Sequence, residues 1–335
     1  MAAASVKRIT LTELKKRARK GDLTEKELRA YFALDEENSG AFAPAIRLNY
    51  SRVDTGGKGL SPEKTGDLYH LATEVPKEKA TRARKRQGAG KSAKSRRATA
   101  SAPRKVLAEG DSWFNLPDFL YPKDAIDILR QTHDLSSVAK WGDTIENMLA
   151  QKQYVQKLES GNFRHFLFSG GGNDVLGSIG NYVKPRTLGD NNPANAPNYV
   201  KPSFATKVRA IVRQYETLAD EARQAEPRAV LYVHGYANAI PVKGKKYLGK
   251  PLEALGFNPS TVGPLATAIV AHMVGMFNTA LKDFAASRAG IVYVDLRPKV
   301  TANDWHSDEI HPKATGATKI AGAFAAAIAT NALVS

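Results

Sequence analysis

Gly110-Asp111-Ser112 follows the apolar run Val106-Leu107-Ala108, which puts Ser112 on the turn closing a short buried strand. A serine hydroxyl is a poor nucleophile until a base takes its proton. A histidine serves as that base only when a third group holds its ring and stabilises the imidazolium. Asp308-Glu309-Ile310-His311-Pro312 supplies both groups. Three residues apart on an expected helical turn, Asp308 and His311 share a face, so the carboxylate can accept from one imidazole nitrogen while the other points at Ser112. Charge developing on an attacked carbonyl oxygen also needs donors already in place, and losing one typically costs about a hundred- to a thousandfold in turnover. The backbone N–H groups of Ser112 and Gly142 and the side-chain amide of Asn173, within Trp141-Gly142-Asp143 and Gly171-Gly172-Asn173-Asp174, are of the right kind. Gly142 would also let the backbone approach a substrate with no side chain in the way.

Each segment alone has a plainer reading. Gly-Asp-Ser is ordinary turn chemistry, Asn173 can cap a helix, and Asp308 with His311 can be a solvated pair. Asp304 with His306 is a rival dyad, less well spaced and without a following proline. His234 either lines the site or closes the core, while His70, His133, His165 and His272 read as surface or satisfied core residues. Trp113 and Phe114, beside the nucleophile, are candidate pocket walls, as is Asp174. Lys243, Lys245, Lys246, Tyr247 and Leu248 suggest either a lid or a solvated basic loop. Leu252, Leu255 and Phe257 lean toward a hydrophobic acyl group. No grouping of His, Asp and Glu has metal-ligand spacing, and no cofactor is expected.

The elements that must position these residues follow from hydrophobic periodicity. Short β-rich runs are expected at Lys105 to Ala108, Ser136 to Lys140, Phe163 to Phe168, Ala229 to His234 and Gly290 to Asp295, separated by helices at Thr144 to Leu158, Ala205 to Gln224, Val262 to Ala286 and Thr315 to Ala332. This alternation is the pattern of a parallel sheet covered by helices. Two polar insertions, Gly177 to Pro202 and Gly235 to Ser260, interrupt it; loops of that length usually serve function or lack order. Ser112, Gly142, Asn173 and the Asp308–His311 pair then fall after the first, second, third and fifth strands, at the carboxyl ends where sites form in open α/β sheets.

With serine, glycine, asparagine and histidine blocks in this order, residues 104 to 335 resemble the SGNH, or GDSL, hydrolase superfamily. Block one is Gly110-Asp111-Ser112, block two centres on Gly142, block three is Gly171-Gly172-Asn173-Asp174, and block five is Asp308-x-x-His311 followed by Pro312. The resemblance implies a flavodoxin-like three-layer α/β/α fold with a parallel five-stranded sheet, and metal-free serine esterase or acyl hydrolase activity. It also implies a catalytic Ser112, Asp308 and His311. The first block departs from the pattern by running on as Trp113-Phe114-Asn115-Leu116-Pro117, which bears on substrate shape more than on catalysis.

Composition bounds the rest. A 335-residue chain with 42% hydrophobic residues suits one large domain and an appendage. Zero cysteines exclude disulfides and thiolate chemistry. No stretch approaches the roughly 18 uninterrupted apolar residues of a membrane span, and the charged start is no general export signal, so a soluble chain, cytoplasmic by default, is expected, with specialised export left open. Of the formal charge of +16, most comes from residues 77 to 105, which hold twelve Lys or Arg against Glu78 alone. Residues 77–104 therefore read as a flexible basic linker, with nonspecific binding to an anionic partner as the rival function. Ahead of it, residues 1–76 read as a small module opening with a helical hairpin, similar to SHOCT-type hairpins, with Gly21 as a stop and Thr24–Glu27 as a capping box. That module is a candidate docking site for a protein partner. Residues 40 to 76 carry no clear period.

Overall fold

The computed structural model describes residues 6–40, 43–92, 105–117 and 123–331. The chain divides into two compact units, Met1–Ala102 with Pro117–Pro122, and Pro103–Leu116 with Lys123–Ser335.

In the larger unit five strands, β1 (Lys105–Gly110), β2 (Asp134–Ser137), β3 (Phe163–Ser169), β4 (Val230–Val233) and β5 (Ile291–Tyr293), form one parallel sheet in the order β2-β1-β3-β4-β5. This is the flavodoxin-like order, with its switch point between β1 and β3. The central strands are buried on both faces, as the continuous run Phe166-Leu167-Phe168 requires. β2 lies earlier than the strand expected over Ser136 to Lys140, yet the amides of Val138 and Lys140 still donate to Ala108 and Gly110 of β1 at 2.9 and 2.8 Å, so pairing reaches the strand end where Gly142 turns.

The connection from β1 to β2 runs one way across the sheet and those from β3 to β5 the other, so right-handed crossovers put helices on both faces. The helices are α1 (Ala125–Leu129), α2 (Ile145–Gln151), α3 (Gln153–Gly161), α4 (Pro202–Ala225), α5 (Pro259–Ala286) and α6 (Ala314–Asn331), leaving aside the short turns of the insertions. α1 packs on α6; α2, α3 and α5 pack on α4. The single helix expected over Thr144 to Leu158 is two, because Lys152 takes the left-handed conformation with φ 52° and breaks it. Helix α5 is long and apolar enough to cross a membrane by length and composition. Its apolar residues recur as Leu265, Ile269, Met273, Phe277, Leu281 and Phe284, all buried, as in a core helix lying along a sheet.

Both insertions are ordered. Val183 bridges Val200 across the base of the first. Leu252 and Phe257 of the second are fully buried, Phe257 meeting Tyr199 edge to face, so they are packing residues rather than the acyl-facing ones expected.

In the smaller unit the hairpin is present: Thr10 caps the helix Leu11–Lys20, which ends at Gly21 with φ 61°, and the capping box of Thr24 and Glu27 opens Glu25–Tyr31. Arg17 ties the two helices, reaching Glu27 at 2.6 Å and Asp22 at 2.9 Å. Two features were not read from sequence. An antiparallel pair, Phe32–Gly40 with Ala43–Leu48, follows the helices, and a 31-residue helix runs Pro62–Ser92. The flexible linker expected from residue 77 is thus helical through Ser92, while 93–104 lie outside the described residues. Leu68, Tyr69 and Ala72 bury one face of the helix, which runs on through Pro76 into the basic stretch.

Candidate active site

Ser112 stands two residues beyond β1, and the aspartate before it builds the turn. Asp111 is fully buried and accepts hydrogen bonds from the Trp113 amide (3.1 Å), the Ser169 hydroxyl (2.8 Å) and the Tyr236 phenol. The Tyr236 oxygen in turn accepts from the Gly172 amide at 2.8 Å. One carboxylate therefore joins the ends of β1, β3 and β4. Gly110 leaves no room for a side chain there, since a Cβ would lie 2.6 Å from the Ser169 carbonyl oxygen.

Burial pushes the Asp111 carboxyl up to about 6 from its ordinary 3.8, against its hydrogen bonds. Between those values the native state holds a proton that the unfolded chain has released. This group's contribution to stability is therefore full below about pH 4 and declines as pH rises to about 6. Asp111→Asn should flatten that slope, which is worth up to about 3 kcal/mol. Denaturant titrations of both proteins at the two ends of the window read the difference.

His311 reaches Ser112 from the far end of the chain. Its Nε2 lies 2.8 Å from Ser112 Oγ and its Nδ1 2.8 Å from Asp308 Oδ2. An ionised carboxylate only accepts, so Nδ1 carries the proton and Nε2 is left to accept from the serine hydroxyl. Asp308 Oδ1 accepts from the amides of Ile310 (3.2 Å) and His311 (3.0 Å), which fixes the carboxylate. Ser112 and His311 are fully buried, a setting in which charge interactions are strong. The helical turn expected for Asp308 to His311 is absent: these residues form a tight turn with Glu309 at φ 78°. Within this turn the Glu309 side chain reaches the second insertion and accepts from its backbone amides.

Gly142 has φ 79°, a conformation that favours glycine. Asn173 follows Gly171, at φ 94°, on the one-turn helix Gly172–Val175. Its side-chain nitrogen donates to the Asp143 carbonyl at 2.9 Å, linking the turns after β2 and β3, and it keeps a second N–H. Its side-chain oxygen is buried without a hydrogen-bond partner among the described residues.

Other candidates separate here. Trp113 and Phe114 are core wedges rather than open pocket walls. The Trp113 indole donates to the Ile310 carbonyl at 3.1 Å and stacks on His234, and Phe114 packs on Phe324. His234 is held neutral, burial pushing it down to about 3. Its Nδ1 accepts from the Tyr236 amide, which makes it a packing residue between strand and turn. Asp174 pairs with Lys207 at 2.9 Å. The rival dyad does not form: Asp304 accepts from Thr301 and pairs with Lys319, while the His306 ring faces Asp308 at 3.7 Å. His165 is a core residue bonded to the Tyr232 phenol. Among the described residues no cluster of His, Asp and Glu could hold a metal. The roles of Asp111, Tyr236 and Glu309 are what sequence reasoning missed.

At the switch point of a flavodoxin-like sheet, a serine, an imidazole and a carboxylate stand in hydrogen-bonded sequence. The comparisons give the kind of protein: residues 108–324 match the model of the GDSL-like lipase/acylhydrolase family, and the chain belongs to that family. No curated protein sequence matches the chain. Among solved structures it is similar to the lipase Lip_vut3 from a goat rumen metagenome, at 16% identity and TM-score 0.46, covering 67% of this chain and 97% of that one. It is also similar to phospholipase A1 from Streptomyces albidoflavus NA297, at 16% identity and TM-score 0.44, covering 67% and 99%. A carbohydrate esterase family 3 structure from Talaromyces cellulolyticus is similar at 15% identity and TM-score 0.43, covering 68% and 97%.

Proposed function

We propose that this enzyme hydrolyses carboxylic esters through an acyl-serine intermediate, with Ser112 as nucleophile, His311 as acid and base, and Asp308 as the group that orients His311. The observation that carries the reading is the unbroken chain from Ser112 Oγ to His311 Nε2 and from His311 Nδ1 to Asp308 Oδ2, each link 2.8 Å. As Ser112 Oγ attacks the carbonyl carbon, its proton passes to His311 Nε2, and the imidazolium is stabilised by Asp308. The carbonyl oxygen becomes an oxyanion facing the amides of Ser112 and Gly142 and the remaining N–H of Asn173. Collapse breaks the bond to the alcohol, which leaves with the His311 proton. A water molecule then gives a proton to His311 and attacks the acyl carbon, and the acid leaves as Ser112 recovers its proton.

The choice of acyl and alcohol groups belongs to the loops rather than to this chemistry. The test is covalent trapping with a serine-reactive fluorophosphonate. One adduct, mapped to the peptide carrying Ser112, is the expected result. A folded protein that takes no label, or takes it elsewhere, overturns the assignment.

A further inference from the structure

We propose that Glu309, which lies between Asp308 and His311, is a specificity-determining positioning residue: its buried carboxylate clamps the loop 242–249 against the catalytic turn. The inference rests on the catalytic reading above and adds to it a device that selects substrates.

Four backbone amides of one loop converge on this side chain. Oε1 accepts from Val242 at 2.6 Å and Gly249 at 2.9 Å, and Oε2 from Leu248 at 3.0 Å and Tyr247 at 3.3 Å. Both feet of the loop thus stand on one oxygen. They close so tightly that a Cβ on Gly249 would fall 1.9 Å from the Val242 carbonyl oxygen, which requires glycine there. A second carboxylate holds the tip, where Gly244 donates to Glu253 at 2.6 Å. Glu309 is 1% exposed. A buried charge is tolerated only when its lone pairs are satisfied, and converging amides do that well. Its left-handed backbone, φ 78°, is strained for a residue with a side chain, and the charge-assisted bonds offset that strain.

The geometry has a chemical consequence because the clamp and the catalytic pair share one four-residue turn. The Glu309 carboxylate is taken up by four loop amides, and the acyl transfer proposed above does not use it. What it fixes is the wall beside the dyad. Tyr247 is half-buried on the clamped loop, where burial, with the negative charges of Asp308 and Glu309, pushes its phenol up. Lys243, Lys245 and Lys246 are exposed on the same loop. The loop enters from β4 at the carboxyl edge of the sheet, where the parts of a substrate beyond the reacting carbonyl must lie. A fixed wall discriminates between acyl groups; a released one does not.

The experiment compares p-nitrophenyl acetate with p-nitrophenyl octanoate on the full chain. Glu309→Ala should change the ratio of their kcat/KM values about tenfold or more, the range that pocket contacts give. The change should fall mainly on KM, with kcat for the acetate ester held within about threefold. Formate, small enough to refill the vacated carboxylate site, should restore part of the ratio. Glu309→Gln should shift it in the same direction, since its side-chain NH2 would face amide donors. In the wild-type protein, amide hydrogen exchange at Val242 and at Tyr247 to Gly249 should be slow, a readout that needs no variant to fold. An unchanged ratio, equal losses on both esters, or fast exchange at these amides overturns the proposal. Fluorophosphonate labelling of the same samples separates the two failures: a wild-type protein without label at Ser112 sinks the catalytic reading, whereas a labelled one with an unchanged ratio sinks only the clamp.

Discussion

Hydrolysis of an activated ester by the Ser112→Ala variant is expected to fall about a millionfold, with His311→Ala falling about as far and the double variant no further. The non-additivity follows from the shared proton. With His311 absent, the Ser112 hydroxyl keeps its proton and is no better a nucleophile than water; with Ser112 absent, the imidazole has nothing to activate that becomes bonded to the substrate. Fold loss does not explain such a drop. Removing the Ser112 oxygen leaves His311 Nε2 without its 2.8 Å partner in a buried site, a cost of about 1–3 kcal/mol. Asp111, which holds the turn, keeps its bonds to Trp113, Ser169 and Tyr236. Steady-state rates at high enzyme concentration, with a melting curve on each variant, separate the two effects. A Ser112→Ala protein that hydrolyses esters at the wild-type rate would place the nucleophile elsewhere.

The residues of the candidate site were legible because each lies next to its own local signal. Ser112, Gly142 and Asn173 follow apolar runs that read as strands and sit beside glycines that read as turns, and Asp308 with His311 stands just before a helix start. What holds them was not legible, because its partners are remote. Tyr236 meets Asp111 across 125 residues, and Glu309 meets the loop amides across 60 to 67. No period or turn rule connects positions so far apart. Chemical type also misled where two environments accept the same residues. Trp113, Leu252 and Phe257 are apolar beside polar turns, which suits a substrate wall and a packed core equally, and the core took them. The basic, alanine-rich stretch after residue 77 suits both a disordered tether and a helix. It is helical as far as Ser92, continuing a helix whose upstream residues Leu68, Tyr69 and Ala72 are buried.

Asp308→Asn should lower kcat about ten-thousandfold with little change in KM. The local bonds determine the direction. Asp308 Oδ1 accepts from the amides of Ile310 and His311, at 3.2 and 3.0 Å, and Oδ2 faces His311 Nδ1 at 2.8 Å. An asparagine placed there must keep its oxygen toward the two amide donors, because turning its NH2 to them would set donor against donor. That NH2 then faces Nδ1, which can only accept from it, so the imidazole proton moves to Nε2. In that tautomer His311 points a donor at Ser112 and can no longer take its proton. The size, charge-free volume and turn geometry of the site are preserved, which is why substrate binding should survive. Asp308→Ala is the less informative variant, since it also strips the acceptor from the two turn amides and lets the turn move. His306, whose Nδ1 is 3.7 Å from Asp308 Oδ2, offers no substitute, being itself a neighbour of the carboxylate rather than of the ring. Fluorophosphonate labelling should slow in parallel with kcat, because both read the same proton transfer. An Asp308→Asn enzyme within tenfold of wild type in both would mean that packing alone holds the His311 ring and its tautomer.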